Sequence, residues 1–175
     1  VKRRPGLPIP GAWDGFECAV RALLGEHIDA SIARALAARL VARTGEQIAE
    51  PADGLTHFFP TPQTLATADL GGLGLGAKRA AAIRALAAAT CAGDVDFSAN
   101  GEDVMTALAS LPGFDADAAQ YVALCALGQP DAFPRVARKP LTVSELDSRM
   151  ETWRPWRGYA LTHLWQAAAL QSTTS

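Results

Sequence analysis

Two short segments hold residue types that could bind an anion. They are Leu73-Gly74-Leu75-Gly76-Ala77-Lys78-Arg79 and Leu111-Pro112-Gly113-Phe114-Asp115-Ala116-Asp117. Each reads as helix, glycine turn, helix. Glycine allows the positive φ of the turn, and the next helix begins at once. Its free N–H groups and dipole then face outward and suit an anion. On a DNA-binding protein that anion is a backbone phosphate, which positions the protein without reading sequence. Gly74, Gly76, Lys78, Pro112 and Gly113 are the candidate phosphate contacts. Alone, either segment is more often just a turn joining two helices, as in any all-helical protein. The second carries two carboxylates where the phosphate would dock. At about 5 Å and an effective dielectric near 20, each repulsion is of order 3 kcal/mol before salt screening. The plainer reading of Asp115 is an N-cap that satisfies the same N–H groups.

The elements that must position these segments are helical. Apolar residues Phe16, Val20, Leu23 and Leu24 share one helical face. Asp29 or Ser31 can cap a second helix to about Arg43, with Ile32, Leu36 and Leu40 inward. Residues 45–62 read as loop. Thr61-Pro62 starts a short helix, and the Ala-rich run Ala77 to Ala92 is a strong helix former. Further helices are expected over about Gly101–Ser110 and Asp115–Leu127. A capping box at Thr142–Glu145 opens another to about Thr152, and the last runs from Pro155 to about Leu170. No stretch sustains period-2 alternation, so no strand is expected.

Composition excludes several classes. Hydrophobic residues make up 49% of 175, enough for a buried core. A net charge of −2 argues weakly against a general nucleic-acid binder, unless basic residues gather on one face. Cys18, Cys91 and Cys125 show no metal spacing, and each sits in an apolar helical pattern. Buried free thiols in a reducing cytoplasm are expected, and neither a metal nor another cofactor. No run is long enough to span a membrane. The start at Val1 suggests a piece of a longer polypeptide.

A resemblance covers nearly the whole chain. It rests on Arg4-Pro5-Gly6-Leu7, Trp13-Asp14-Gly15-Phe16-Glu17 and Val20-Arg21-Ala22-Leu23-Leu24-Gly25. Phe59-Pro60-Thr61-Pro62 and Leu73-Gly74-Leu75 follow in order, then Leu111-Pro112-Gly113-Phe114 with Ala119-Gln120-Tyr121-Val122-Ala123-Leu124. Trp153-Arg154-Pro155-Trp156-Arg157, Tyr159-Ala160-Leu161 and His163-Leu164-Trp165 close the series. Together these resemble the 3-methyladenine DNA glycosylase II family of the helix-hairpin-helix superfamily. The resemblance implies one all-α, two-lobed domain over residues 1–175, without the family's N-terminal β-rich domain. Similar domains are fused behind bacterial Ada-type alkylation-response modules.

What the resemblance implies for chemistry is specific. Such enzymes flip a damaged nucleotide into a pocket and stack the cationic base on aromatic faces. They use one carboxylate near the sugar, and no metal is needed for that step, though the hairpin's carbonyls can hold a cation. Tyr121 and Trp165 match pocket aromatics. Trp153, Trp156 and Trp165 are equally read as packing. Arg157 and Arg154 either track phosphates or cover the aromatic stems, and His163 is a structural histidine. Asp115 replaces the family's second hairpin glycine, and Asp117 replaces a pocket aromatic. Glu26-His27 occupies the loop that probes the gap left by the flipped base, where His27 could stack as a wedge or the two could equally be a solvated loop pair. Pro130-Asp131-Ala132-Phe133-Pro134 matches the lead-in to the catalytic Asp, which would follow Pro134. About six residues are missing there by resemblance. The catalytic residue is therefore unknown, with Asp117 as a substitute.

Three readings follow. The first is an alkylated-base DNA glycosylase domain acting on double-stranded DNA, with excision weak or absent. The second is a non-catalytic DNA-binding, damage-binding or protein-interaction domain derived from it. The third is an enzyme rewired to use Asp117. A monomer in a bacterial cytoplasm, associated with the nucleoid and continuous with N-terminal domains, is expected.

Overall fold

A computed structural model describes residues 6–134 and 149–172. The junction after Pro134 and the Thr142–Glu145 capping box lie outside the described residues. Among those described, helices dominate: α1 (Gly15–Gly25), α2 (Ala30–Thr44), α3 (Pro62–Thr67), α4 (Ala77–Ala92), α5 (Gly101–Ser110), α6 (Ala116–Cys125) and α7 (Arg157–Ser172). A short 3₁₀ turn, Glu151–Trp153, precedes α7.

The caps are local consequences of sequence. Asp14 accepts the Glu17 N–H at 2.6 Å, Asp29 the Ser31 N–H at 2.7 Å and Thr61 the Thr64 N–H at 3.2 Å. Asn100 accepts from Glu102 at 3.2 Å. Each satisfies a donor that the first helical turn leaves without an intrahelical partner.

α1 lies at the centre and packs against α2, α4 and α6, while α3 packs on α4 and α5 on α6. Its buried residues Phe16, Cys18, Ala19, Val20, Leu23 and Leu24 meet one connected core. That core includes Leu36, Leu40, Ile83, Leu86, Leu108, Val122, Leu124 and Leu161. The arm before α1 docks on the end of α6, where the Ala12 N–H donates to the Cys125 carbonyl at 2.7 Å. No described helix is long and apolar enough to cross a membrane.

Three expectations are corrected. Residues 45–62 are not all loop: β1 (Gln47–Ala52) and β2 (Leu55–His57) pair antiparallel. Asp53 and Gly54 turn between them with φ of 51° and 82°, the two-residue hairpin geometry that Asp-Gly favours. Ile32 is 52% exposed rather than inward. The covered stripe of α2 runs Ala33, Leu36, Ala37 and Leu40, which leaves position 32 one residue off it. Cys91 is exposed, on the outer side of the last turn of α4, whereas Cys18 and Cys125 are buried.

Candidate nucleic-acid interface and cleft

Three turns that are distant in sequence meet at one place. The first is the α3–α4 turn. Gly76 stands at the N-cap of α4 with φ 75°, and no side chain caps the helix. Lys78 is exposed in the first turn. Gly74, also at positive φ, is exposed beside the Arg39 guanidinium.

Arg79 ties this turn to the second one, between α1 and α2. Its guanidinium donates to the carbonyls of Leu23 at 2.9 Å, Leu75 at 3.2 Å and Glu26 at 2.8 Å. The carbonyls at a helix end lack intrahelical partners, and Arg79 supplies donors for them. Beyond it, His27 holds φ 55° and its side chain is 81% exposed. The residue read as a wedge in the sequence is thus largely exposed.

The third turn is the α5–α6 hairpin. Pro112 is exposed and Gly113 has φ 84°. A Cβ at Gly113 would lie 2.8 Å from the Ala82 Cβ of α4, closer than packed carbons allow, so only glycine lets the two helices approach this way. Asp115 caps α6, its Oδ1 accepting the Ala118 N–H at 2.7 Å. Its other oxygen faces His27 Nε2 at 3.7 Å. The Glu26 carboxyl sits beside both, 3.9 Å from His27 Nε2. Burial, and then a hydrogen bond and repulsion from Asp115, hold Glu26 above the ordinary carboxylate range.

Next to the hairpin lies an open cleft of about 530 Å³, lined by Asp115, Ala116, Asp117, Gln120, Phe133, Met150 and Arg157. Gln120 Oε1 accepts the Phe133 N–H at 2.9 Å and fixes the lead-in segment against α6. Asp131, in the same segment, is fully engaged. It takes Arg157 in a bidentate pair at 2.8 and 2.9 Å, and Arg154 at 2.9 Å. Arg157 also donates to the Asp131 carbonyl at 3.1 Å, and its side chain is 16% exposed. The guanidinium proposed for phosphates thus already holds a carboxylate inside the cleft wall.

Tyr121 and Trp165 do not line this cleft. Their rings pack on each other, centroids 6.3 Å apart and tilted by 44°, and both are half-buried. Burial pushes the Tyr121 phenol above its usual range, with Cys125 and Cys18 close by. The Cys18 thiol is pushed up to about 12, and Cys125 is raised too, both chiefly by burial. Both thiols stay protonated at neutral pH and are poor nucleophiles. Trp153 packs on Phe133 at 6.3 Å, and Trp156, 57% exposed, meets Tyr159 edge-on. Arg79, Gln120 and Asp131 were missed as site residues. No motif marks them, since their partners are carbonyls and side chains brought near only by folding.

No protein-family model matches the chain. It is 38% identical to DNA-3-methyladenine glycosylase 2 of Escherichia coli (strain K12), over 96% of this chain and 63% of that protein. The chain belongs to the 3-methyladenine DNA glycosylase II family. A Mycobacterium tuberculosis (strain CDC 1551 / Oshkosh) protein, described as a probable bifunctional transcriptional activator/DNA repair enzyme AlkA, is 36% identical over 94% of this chain. The chain spans only 36% of that relative. Among solved structures, the 3-methyladenine DNA glycosylase from Archaeoglobus fulgidus aligns with a TM-score of 0.73 at 21% identity, over 91% of this chain and 60% of that one. The Schizosaccharomyces pombe glycosylase Mag1, solved with abasic DNA, gives 0.72 at 18%, over 95% and 85%. These likenesses show the all-α helix-hairpin-helix glycosylase fold.

Proposed function

We propose that this glycosylase-family domain binds duplex DNA and alkylation damage within it, and does not itself release the base. The observation that carries the DNA half is the convergence of the uncapped α4 terminus, the protruding His27 and the α5–α6 hairpin on one surface. An uncapped helix end beside an exposed lysine receives a phosphate, and an exposed ring at positive φ is placed to stack where a base has left. The DNA-bound relative with the same fold supports this reading.

The absence of excision rests on the carboxylates of the cleft. Asp131, the acid of the lead-in, is consumed by two arginines. Asp115 caps its helix. The match to the Escherichia coli relative extends over 181 residues, more than the 175 of this chain, so that relative contains aligned residues that this chain lacks. We read part of that difference as a deletion after Pro134, where by resemblance the family's catalytic Asp would follow. Asp117, which lines the cleft, is the carboxylate of the competing rewired-enzyme reading.

A titration of undamaged and methylated duplexes at 50 and 200 mM salt (about the span over which phosphate contacts lose most of their affinity) tests the binding half. Tighter binding to the methylated duplex, weakening steeply with salt, is expected. Equal and salt-insensitive affinity would favour a protein-interaction module instead.

A further inference from the structure

We infer that Glu26, His27 and Asp115 form a site for one divalent transition-metal cation of the Zn²⁺ class, which staples the α1–α2 turn to the hairpin. One ligand atom from each residue lies within 4.8 Å of the other two. His27 Nε2 stands 3.9 Å from Glu26 Oε1 and 3.7 Å from Asp115 Oδ2. Ligands bonded at 2.0–2.1 Å in a tetrahedron lie about 3.3 Å apart, so His27 and the carboxylates must draw in by about half an ångström to close the shell. One imidazole nitrogen and two carboxylate oxygens are a donor set that such cations accept. Three protein ligands leave a fourth position for water.

The donors are held in place, and the Glu26–Asp115 carboxyl contact is one that a cation would replace. Asp115 uses Oδ1 for the Ala118 N–H, which fixes the carboxylate and leaves Oδ2 facing His27. Arg79 pins the Glu26 carbonyl at 2.8 Å and so fixes the loop from below. Lys78 acts on Glu26 electrostatically and tempers the local negative charge. The His27 backbone, at φ 55°, aims the ring back at both carboxylates. Because the ligands come from two turns far apart in sequence, no ligand spacing shows in the chain. The side-chain cluster is also distinct from the hairpin carbonyls, and a bound divalent cation would neutralise the charge that the two carboxylates present there.

Calorimetric titration of the whole chain with Zn²⁺, after chelator treatment, tests the assignment. One equivalent should bind, and Tm should rise with added Zn²⁺ because the cation binds the folded state. Asp115→Asn preserves the cap and His27→Asn tolerates the positive φ. Each should weaken binding by about tenfold or more, the least that loss of a metal's supporting group costs. Cys91→Ser should leave it unchanged, and Co²⁺ should give visible bands without a thiolate band. Failure to bind one equivalent, or equal binding by both asparagine variants, overturns the proposal. No DNA is present in this assay, so its outcome is separate from the duplex-binding reading.

Discussion

The two glycine turns look alike in sequence and differ in what they offer an anion. At the α3–α4 turn the helix end is bare: Gly76 gives no cap, and Lys78 stands exposed beside it. At the α5–α6 turn Asp115 caps the helix by accepting the Ala118 N–H, and Asp117 adds a second acid in the first turn. One terminus is open to phosphate, while the other has already been supplied with an anion of its own. Glycine also does different jobs in the two. A Cβ at Gly76 would meet nothing within 4 Å, whereas one at Gly113 would strike Ala82. The first turn is built for access and the second for packing.

Substitutions can break this contrast, beginning with the residue that holds the turns together. Arg79→Met removes three hydrogen bonds to carbonyls. Since each charged hydrogen bond contributes about 1.5–3 kcal/mol and the losses overlap, a destabilisation of about 3 kcal/mol in urea unfolding is expected. A change below about 0.5 kcal/mol, the range of ordinary surface substitutions, would show that water replaces the guanidinium without loss. Gly113→Ala should cost about 2–3 kcal/mol, because it adds a steric clash to an unfavourable φ. Gly76→Ala meets no neighbour but must hold φ 75° with ψ 150°, a region nearly confined to glycine, and should cost about 1–2 kcal/mol. Equal costs would remove the distinction between the packed and the open turn.

Charge changes sharpen the contrast in affinity rather than stability. Lys78→Gln should weaken duplex binding and lower the salt slope by about 1, the signature of one lost phosphate contact. Asp115→Asn should strengthen binding in metal-free buffer while unfolding changes little, since the cap is kept. A Lys78 variant with an unaltered salt slope would mean that α4 never meets the backbone of DNA.

Much of the fold was legible because local rules and tertiary packing agree. Asp14, Asp29, Thr61 and Asp115 cap where their types and the following apolar pattern require. The 47–57 hairpin escaped because its exposed strands, with Leu55 66% exposed, have no buried face to impose alternation. Only the Asp53-Gly54 pair signals it. Ile32 misled because a one-residue rotation of the α2 stripe cannot be seen without the neighbour that covers it. The site was legible in its turns and not in its connections. Glycine turns and the Glu26-His27 pair can be read along a chain. The grip of Arg79, the Asp131–Arg157 pair and the meeting of His27 with Asp115 exist only in three dimensions.

The central claim is that a glycosylase fold here recognises alkylated duplex without excising from it. Release of free 3-methyladenine from methylated duplex, followed by chromatography under conditions where binding is saturated, tests that most directly. The account predicts saturable binding with no release above the spontaneous rate. Robust release by this chain, lost in Asp117→Asn while duplex affinity is retained, would contradict it and assign the cleft carboxylate a catalytic role.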